Sequence, residues 1–134
     1  MKTIFFILLL CCSFTSLNAQ TVVPEDSVKA PQDAGNVYVH RIAGDSLVTS
    51  FIIIIKENVA LHKHETHSEH VYVIEGTGTM LLNGTTIYIK EGDVIFIPKG
   101  TWHAVTVTST IPLKVLSIQA PEFDGKDRII YKNQ

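Results

Sequence analysis

The chain has 134 residues, a length that a single domain accounts for. Its 11 Lys and Arg stand against 13 Asp and Glu, and a net charge of −2 leaves no basic footprint for nucleic acid and no acidic tail. Hydrophobic residues make up 46% of the chain, enough for a sizeable core, which excludes disorder for most of it.

Residues 1–19 read as an export signal. Lys2 is followed by an apolar run from Ile4 to Cys12, and then by Ser13 to Ala19 with a small residue at the end. The run is too short to cross a bilayer, which takes about 20 apolar residues. A lipid anchor on Cys11 or Cys12 is disfavoured because the residues before them are Leu rather than small. Cleavage is expected after Ala19, and the protein is expected in the periplasm or outside the cell. Removing those 19 residues leaves 115, with no cysteine and so no disulfide and no thiol nucleophile. Lys2 leaves with the signal, which takes the net charge from −2 to −3.

Residues 20–35 hold Pro24, Pro31, Glu25, Asp26 and Asp33 among few large apolar side chains, the composition of an extended arm or linker outside the core. Nine runs rich in Val, Ile, Thr, Tyr and Phe follow. They are Val37–Ile42, Leu47–Lys56, Val59–His64, His70–Glu75, Gly78–Leu82, Thr85–Lys90, Val94–Ile97, His103–Thr108 and Leu113–Ala120. Turn residues separate them, and Asn83-Gly84 between Leu82 and Thr85 is the strongest hairpin signal. No stretch of 36–120 keeps a 3.6-residue apolar period, so no helix is expected there. The pattern predicts an all-β fold, an antiparallel sandwich or small barrel over 36–120. The tail, 121–134, is polar with Ile129-Ile130-Tyr131 near its end, and either adds an edge strand or packs on a partner.

Four of the six histidines lie between His62 and His70. Alternate residues of a strand share a face, so His62-Lys63-His64 presents two imidazoles side by side. Glu69 follows after enough chain to turn and return on a neighbouring strand, and His103 opens a later one. Three imidazole nitrogens and a carboxylate suit one divalent transition metal (Mn, Fe, Co, Ni, Cu or Zn) better than Ca or Mg. His67 reads as a solvated loop or rim residue, with an exchanging fifth ligand as the alternative. His70 is next to Glu69 and faces the other way, and Trp102 precedes His103 and packs away from it. His40 has no special partner in the sequence.

These residues resemble a known family. His62-x-His64-(x)4-Glu69-(x)6-Gly76 is similar to the first motif of the cupin superfamily, and Gly92-(x)5-Pro98-x-Gly100-(x)2-His103 is similar to the second. The resemblance, to a small single-domain cupin, covers roughly residues 37–120. It implies a double-stranded β-helix, or jelly roll, with His62, His64, Glu69 and His103 as metal ligands and Gly76, Gly92, Gly100 and Pro98 at turns. It departs at Val107, where the second motif often has Asn, so a polar group of the cavity is missing.

An ion that accepts six ligands keeps two positions open beyond these four. No separate acid–base pair, no activated Ser and no phosphate-cradling glycine loop accompanies them. Alternation places Val71 and Val73 with Glu69, and Val105 and Val107 with His103, and Leu47–Ile55 carries no charge. The inferred cavity is therefore apolar, suited to a small neutral or mono-acidic molecule. The resemblance implies metal-dependent catalysis of dioxygenase, isomerase or lyase type. The alternative is a non-catalytic module that binds a small molecule or a metal. A homodimer is expected from the resemblance, with no nucleic acid partner and no membrane insertion of the mature chain.

Overall fold

The computed structural model describes residues 21–132, so the expected export signal lies outside the described residues. Each β-rich run becomes a strand. In chain order they are β1 (Val37–Gly44), β2 (Thr49–Ile55), β3 (Asn58–Lys63), β4 (Ser68–Glu75), β5 (Thr77–Leu82), β6 (Thr85–Lys90), β7 (Val94–Ile97), β8 (His103–Val107), β9 (Leu113–Ala120) and β10 (Ile129–Ile130). They form two five-stranded antiparallel sheets, β1-β2-β9-β4-β7 and β10-β3-β8-β5-β6. This is the architecture of a double-stranded β-helix, as the all-β reading requires. Asn83 (φ 47°) and Gly84 (φ 83°) make the tight β5–β6 turn, a left-handed backbone that Asn and Gly tolerate best.

Alternation along the strands turns one face of each sheet inward. Ile55, Val71, Val73, Met80, Ile89, Ile95, Ile97, Val105, Leu113 and Val115 meet there as the main core. Val107 packs against it half-buried, on the side expected from His103.

Two expectations need correction. The arm expected over 20–35 is mostly exposed where it is described, from residue 21 on, but it is not wholly outside the core. After a 3-10 turn at Glu25–Ser27, Val28 is buried on the outer face of the first sheet against Ile52 and Ile54, with Val23 and Ala30 beside it. The unbroken Ile52-Ile53-Ile54-Ile55 run explains this, because a strand apolar on both faces needs cover on both. The second concerns Glu69. It does not return on a strand beside β3, because β3 and β4 belong to different sheets and residues 64–67 cross between them. The tail does add an edge strand. β10 pairs with β3, Ile129 opposite Lys63 and Ile130 opposite His62.

Candidate metal centre

One sheet supplies three imidazoles. His62 on β3 and His103 on β8 are register partners, with ring centroids 4.1 Å apart. His64 stands one residue past the end of β3, with its ring 5.1 Å from His62 and 5.4 Å from His103. Its carbonyl accepts from the amide of Gly100 at 2.5 Å, so the β7–β8 turn pins the end of β3 beside β8. Gly100 has φ 78°, a conformation that a side chain would strain. The opposite sheet supplies Glu69 from β4, which lies across from Gln119 on β9.

All three rings are set the same way. Nδ1 of His62 donates to the Ala60 carbonyl (2.8 Å), Nδ1 of His103 to the Thr101 carbonyl (2.9 Å), and Nδ1 of His64 to the Asp127 carbonyl. A carbonyl only accepts, so each proton sits on Nδ1 and each Nε2 lone pair is free. Metal-binding histidines are oriented in this way. The three rings offer ligand atoms that all lie within 4.8 Å of one another. Oε2 of Glu69 is 3.6 Å from Nε2 of His103 and 3.8 Å from Nε2 of His64, too far for hydrogen bonds. Nε2 of His103 is buried with no hydrogen-bond partner. An orphaned buried acceptor beside two more imidazoles and a carboxylate fits a transition metal, for which N and O bonds of about 2.0–2.2 Å are usual.

The electrostatics agree. Burial lowers the His62 pKa first and the neighbouring His103 second, from 6.5 to about 3, so the ring is neutral at neutral pH. Burial raises the Glu69 pKa, but the His103 ring in its protonated form and the Ser117 hydroxyl outweigh it, and the carboxyl is held at about 2. Oγ of Ser117 donates to Oε1 of Glu69 at 2.5 Å, and Nε2 of Gln119 reaches the same oxygen at 3.3 Å. Glu69 is therefore an ionised carboxylate, oriented from behind by β9.

A cavity of about 140 Å³ opens beside these groups. Ile53, Ile55, Val71, Ile97, Val105 and Val115 are among the side chains that make it largely apolar. Beyond the His and Glu groups its polar members are Gln119 and Arg128. Sequence reasoning missed both. Gln119 is placed by its register opposite Glu69, and Arg128 by the tail folding back onto β3.

His67 is not solvated. It is 1% exposed, stacked 4.2 Å from His64 and 5.2 Å from Phe123, with Nδ1 2.9 Å from Oδ2 of Asp127. Burial lowers its pKa, helped by His64 and opposed by Asp127. The tail causes the burial. The Asp127 carboxylate accepts from the amides of Glu65 and Thr66 (both 2.8 Å) and from Oγ1 of Thr66 (2.6 Å), latching the crossing loop beneath it. His64, His67 and Asp127 also offer ligand atoms within 4.8 Å of one another, with the Asp127 oxygens accepting from the crossing loop as well. His70 is exposed and lies on Phe96, with centroids 4.7 Å apart. Trp102 is half-buried against Tyr131, under the ammonium of Lys63, and does not line the cavity.

Known proteins resemble this chain in sequence or in fold. An uncharacterised protein of Methanocaldococcus jannaschii is 36% identical over 76 residues, 57% of this chain and 61% of that protein. An oxalate-binding protein of Thermotoga maritima is 38% identical over 61 residues, 46% of this chain and half of that protein. The matches thus span less than two thirds of either relative. A conserved Klebsiella pneumoniae protein with a double-stranded β-helix domain superposes with a TM-score of 0.72, covering 86% of this chain and all of that one at 18% identity. The family model for the cupin domain matches residues 51–119, just over half of the chain, and the chain belongs to that family.

Proposed function

We propose that this cupin holds one divalent transition metal through His62, His64, His103 and Glu69 and acts as a metal-dependent enzyme on a small, partly apolar molecule in the adjoining cavity. The observation that carries this reading is the shared setting of the three rings. Each donates Nδ1 to a backbone carbonyl and presents Nε2 toward its neighbours, next to an ionised carboxylate. When bound, such an ion supplies a Lewis acid with positions left open for substrate. The chain's own residues orient the donors, keep Glu69 ionised through Ser117, and line the substrate's chamber with hydrocarbon.

Two observations favour a second reading, binding without turnover. Among the described residues the cavity holds no acid–base pair apart from the groups assigned to the metal, and one relative carries the name oxalate-binding protein. Metal analysis of the purified protein, followed by oxygen-uptake and product assays with small diketones, catechols and carboxylic acids, separates the two. Turnover that needs both the metal and His103 supports the enzyme. Tight metal or ligand binding with no product for any ion supports the binding module, and no metal uptake overturns the metal-dependent enzyme. Export by residues 1–19 belongs to the same proposal, and N-terminal sequencing of the mature protein should begin at Gln20.

A further inference from the structure

Beyond the groups assigned to the metal, two side chains of the apolar cavity keep polar atoms free for a ligand, and they differ in kind. Gln119 is 5% exposed. Its Nε2 donates to Oε1 of Glu69 (3.3 Å) and Oγ of Ser117 (3.2 Å). A carboxylate only accepts, so Nε2 is the amide atom that faces Glu69, and Oε1 is fixed on the other side. That Oε1 is buried with no hydrogen-bond partner, and the side chain lines the cavity. A buried acceptor of this kind calls for a donor. Arg128 borders the same cavity from the tail, just before β10, and is solvent-exposed overall. Among the described residues its guanidinium makes no ion pair, which is also true of Lys29, Lys56, Lys99 and Lys132, but of these five Arg128 alone lines the cavity. Arg128 is thus a free planar cation at the rim, with a geometry matched to a carboxylate.

We propose that the cavity takes a small hydroxy carboxylic acid, its carboxylate held by Arg128, its hydroxyl donated to Oε1 of Gln119, and its hydrocarbon body on the Ile and Val walls. The assignment rests on the proposed function only in taking this cavity as the ligand chamber. Size agrees, since about 140 Å³ is close to the roughly 150 Å³ apolar cavity that accepts benzene in another protein. A hydroxyl is chosen over an ammonium because walls of this kind penalise a second charge. A phosphate is disfavoured because Arg128 is the one cationic side chain among the lining residues.

The experiment uses isothermal titration of the full mature protein, zinc-loaded and metal-free, in parent and Arg128→Gln forms. The probes are 2-hydroxy-4-methylpentanoate, its amide, 4-methylpentanoate and leucine. Zinc affinity is measured first. If zinc does not bind, the metal reading fails, and the metal-free titrations still decide the ligand assignment. Arg128→Gln should weaken 2-hydroxy-4-methylpentanoate, 4-methylpentanoate and leucine, the three carboxylates, about ten- to a hundredfold and leave the amide within about twofold. Loss of the hydroxyl should cost the parent about tenfold, with or without zinc. An amide that binds the parent as tightly as the acid, or carboxylates indifferent to Arg128→Gln, would overturn the carboxylate assignment. A hydroxyl effect confined to zinc-loaded protein would move that group from Gln119 to the metal, and tighter binding of leucine would replace hydroxyl by ammonium. Either result overturns the Gln119 half.

Discussion

His103 donates Nδ1 to Thr101 and keeps Nε2 buried without a partner, so deleting the ring breaks a single internal hydrogen bond. His103→Ala should therefore leave the β-sheet circular dichroism unchanged while metal affinity falls at least about a hundredfold, read by chelator competition. Parental affinity in this variant would mean that the ring is not a ligand. His62 carries a consequence for stability. Its pKa is about 3 when folded and 6.5 when unfolded, so between those values the unfolded chain binds more protons. Stability of the metal-free protein should fall as pH drops through that window and be unaffected by this group above it. Glu69 acts with the same sign lower down, its contribution being present above 4.5 and lost toward about 2. Urea midpoints recorded from pH 6.5 to 4.5 should decline, and His62→Gln should flatten the decline. His62, His64, Glu69 and His103 stood out in the sequence because their spacing is tied to short local elements. Ser117, Gln119 and Arg128 did not, because what places them is the pairing of strands far apart along the chain, β4 with β9 and β10 with β3.

The crossing segment between β3 and β4 is short and polar, and its order comes from the tail. Asp127 accepts from two of its amides and one of its hydroxyls, lies against His67, and offers its own carbonyl to His64. The two amides and the hydroxyl hold its carboxyl well below the usual carboxylate range, against the opposing effect of burial. Asp127→Ala should lower stability by about 2–3 kcal/mol, the scale of hydrogen bonds to a charged group, discounted for partial exposure. The more specific sign is hydrogen exchange, which should speed up at Glu65 and Thr66 while the β9 amides stay protected. Equal acceleration in both places would mean that Asp127 supports the whole fold rather than this loop. The strands themselves were legible because β-branched runs end at Gly, Asn, Asp or Pro. β4 was read two residues short, from His70 rather than Ser68, because Ser68-Glu69 is polar and only the cavity behind it turns Glu69 inward. The latch was hidden because a single Asp in a polar tail has no local signature.

Over the whole molecule, the main core lies between the sheets and a smaller one lies under the arm, and Lys114 links the arm to the barrel. Its place on β9 turns it outward beneath residues 23–30, where it is 6% exposed. Its ammonium donates to the Glu25 carboxylate and to the Glu25 carbonyl, both at 2.7 Å. An ammonium so enclosed is costly without an anion, whereas Glu25 itself is half in solvent, so the two partners are not equivalent. Glu25→Ala should therefore destabilise by about 1–3 kcal/mol in urea titration, chiefly because Lys114 loses its counter-charge. Lys114→Met replaces the ammonium with an apolar side chain of similar length in a patch shared with Val28, Ile52 and Ile54. Added to Glu25→Ala, it should recover most of the loss, because a buried charge that needs a partner is then gone. If the double variant is as unstable as the two single losses summed, the ion pair is not what fastens the arm, and the Val28 contacts must carry that role alone.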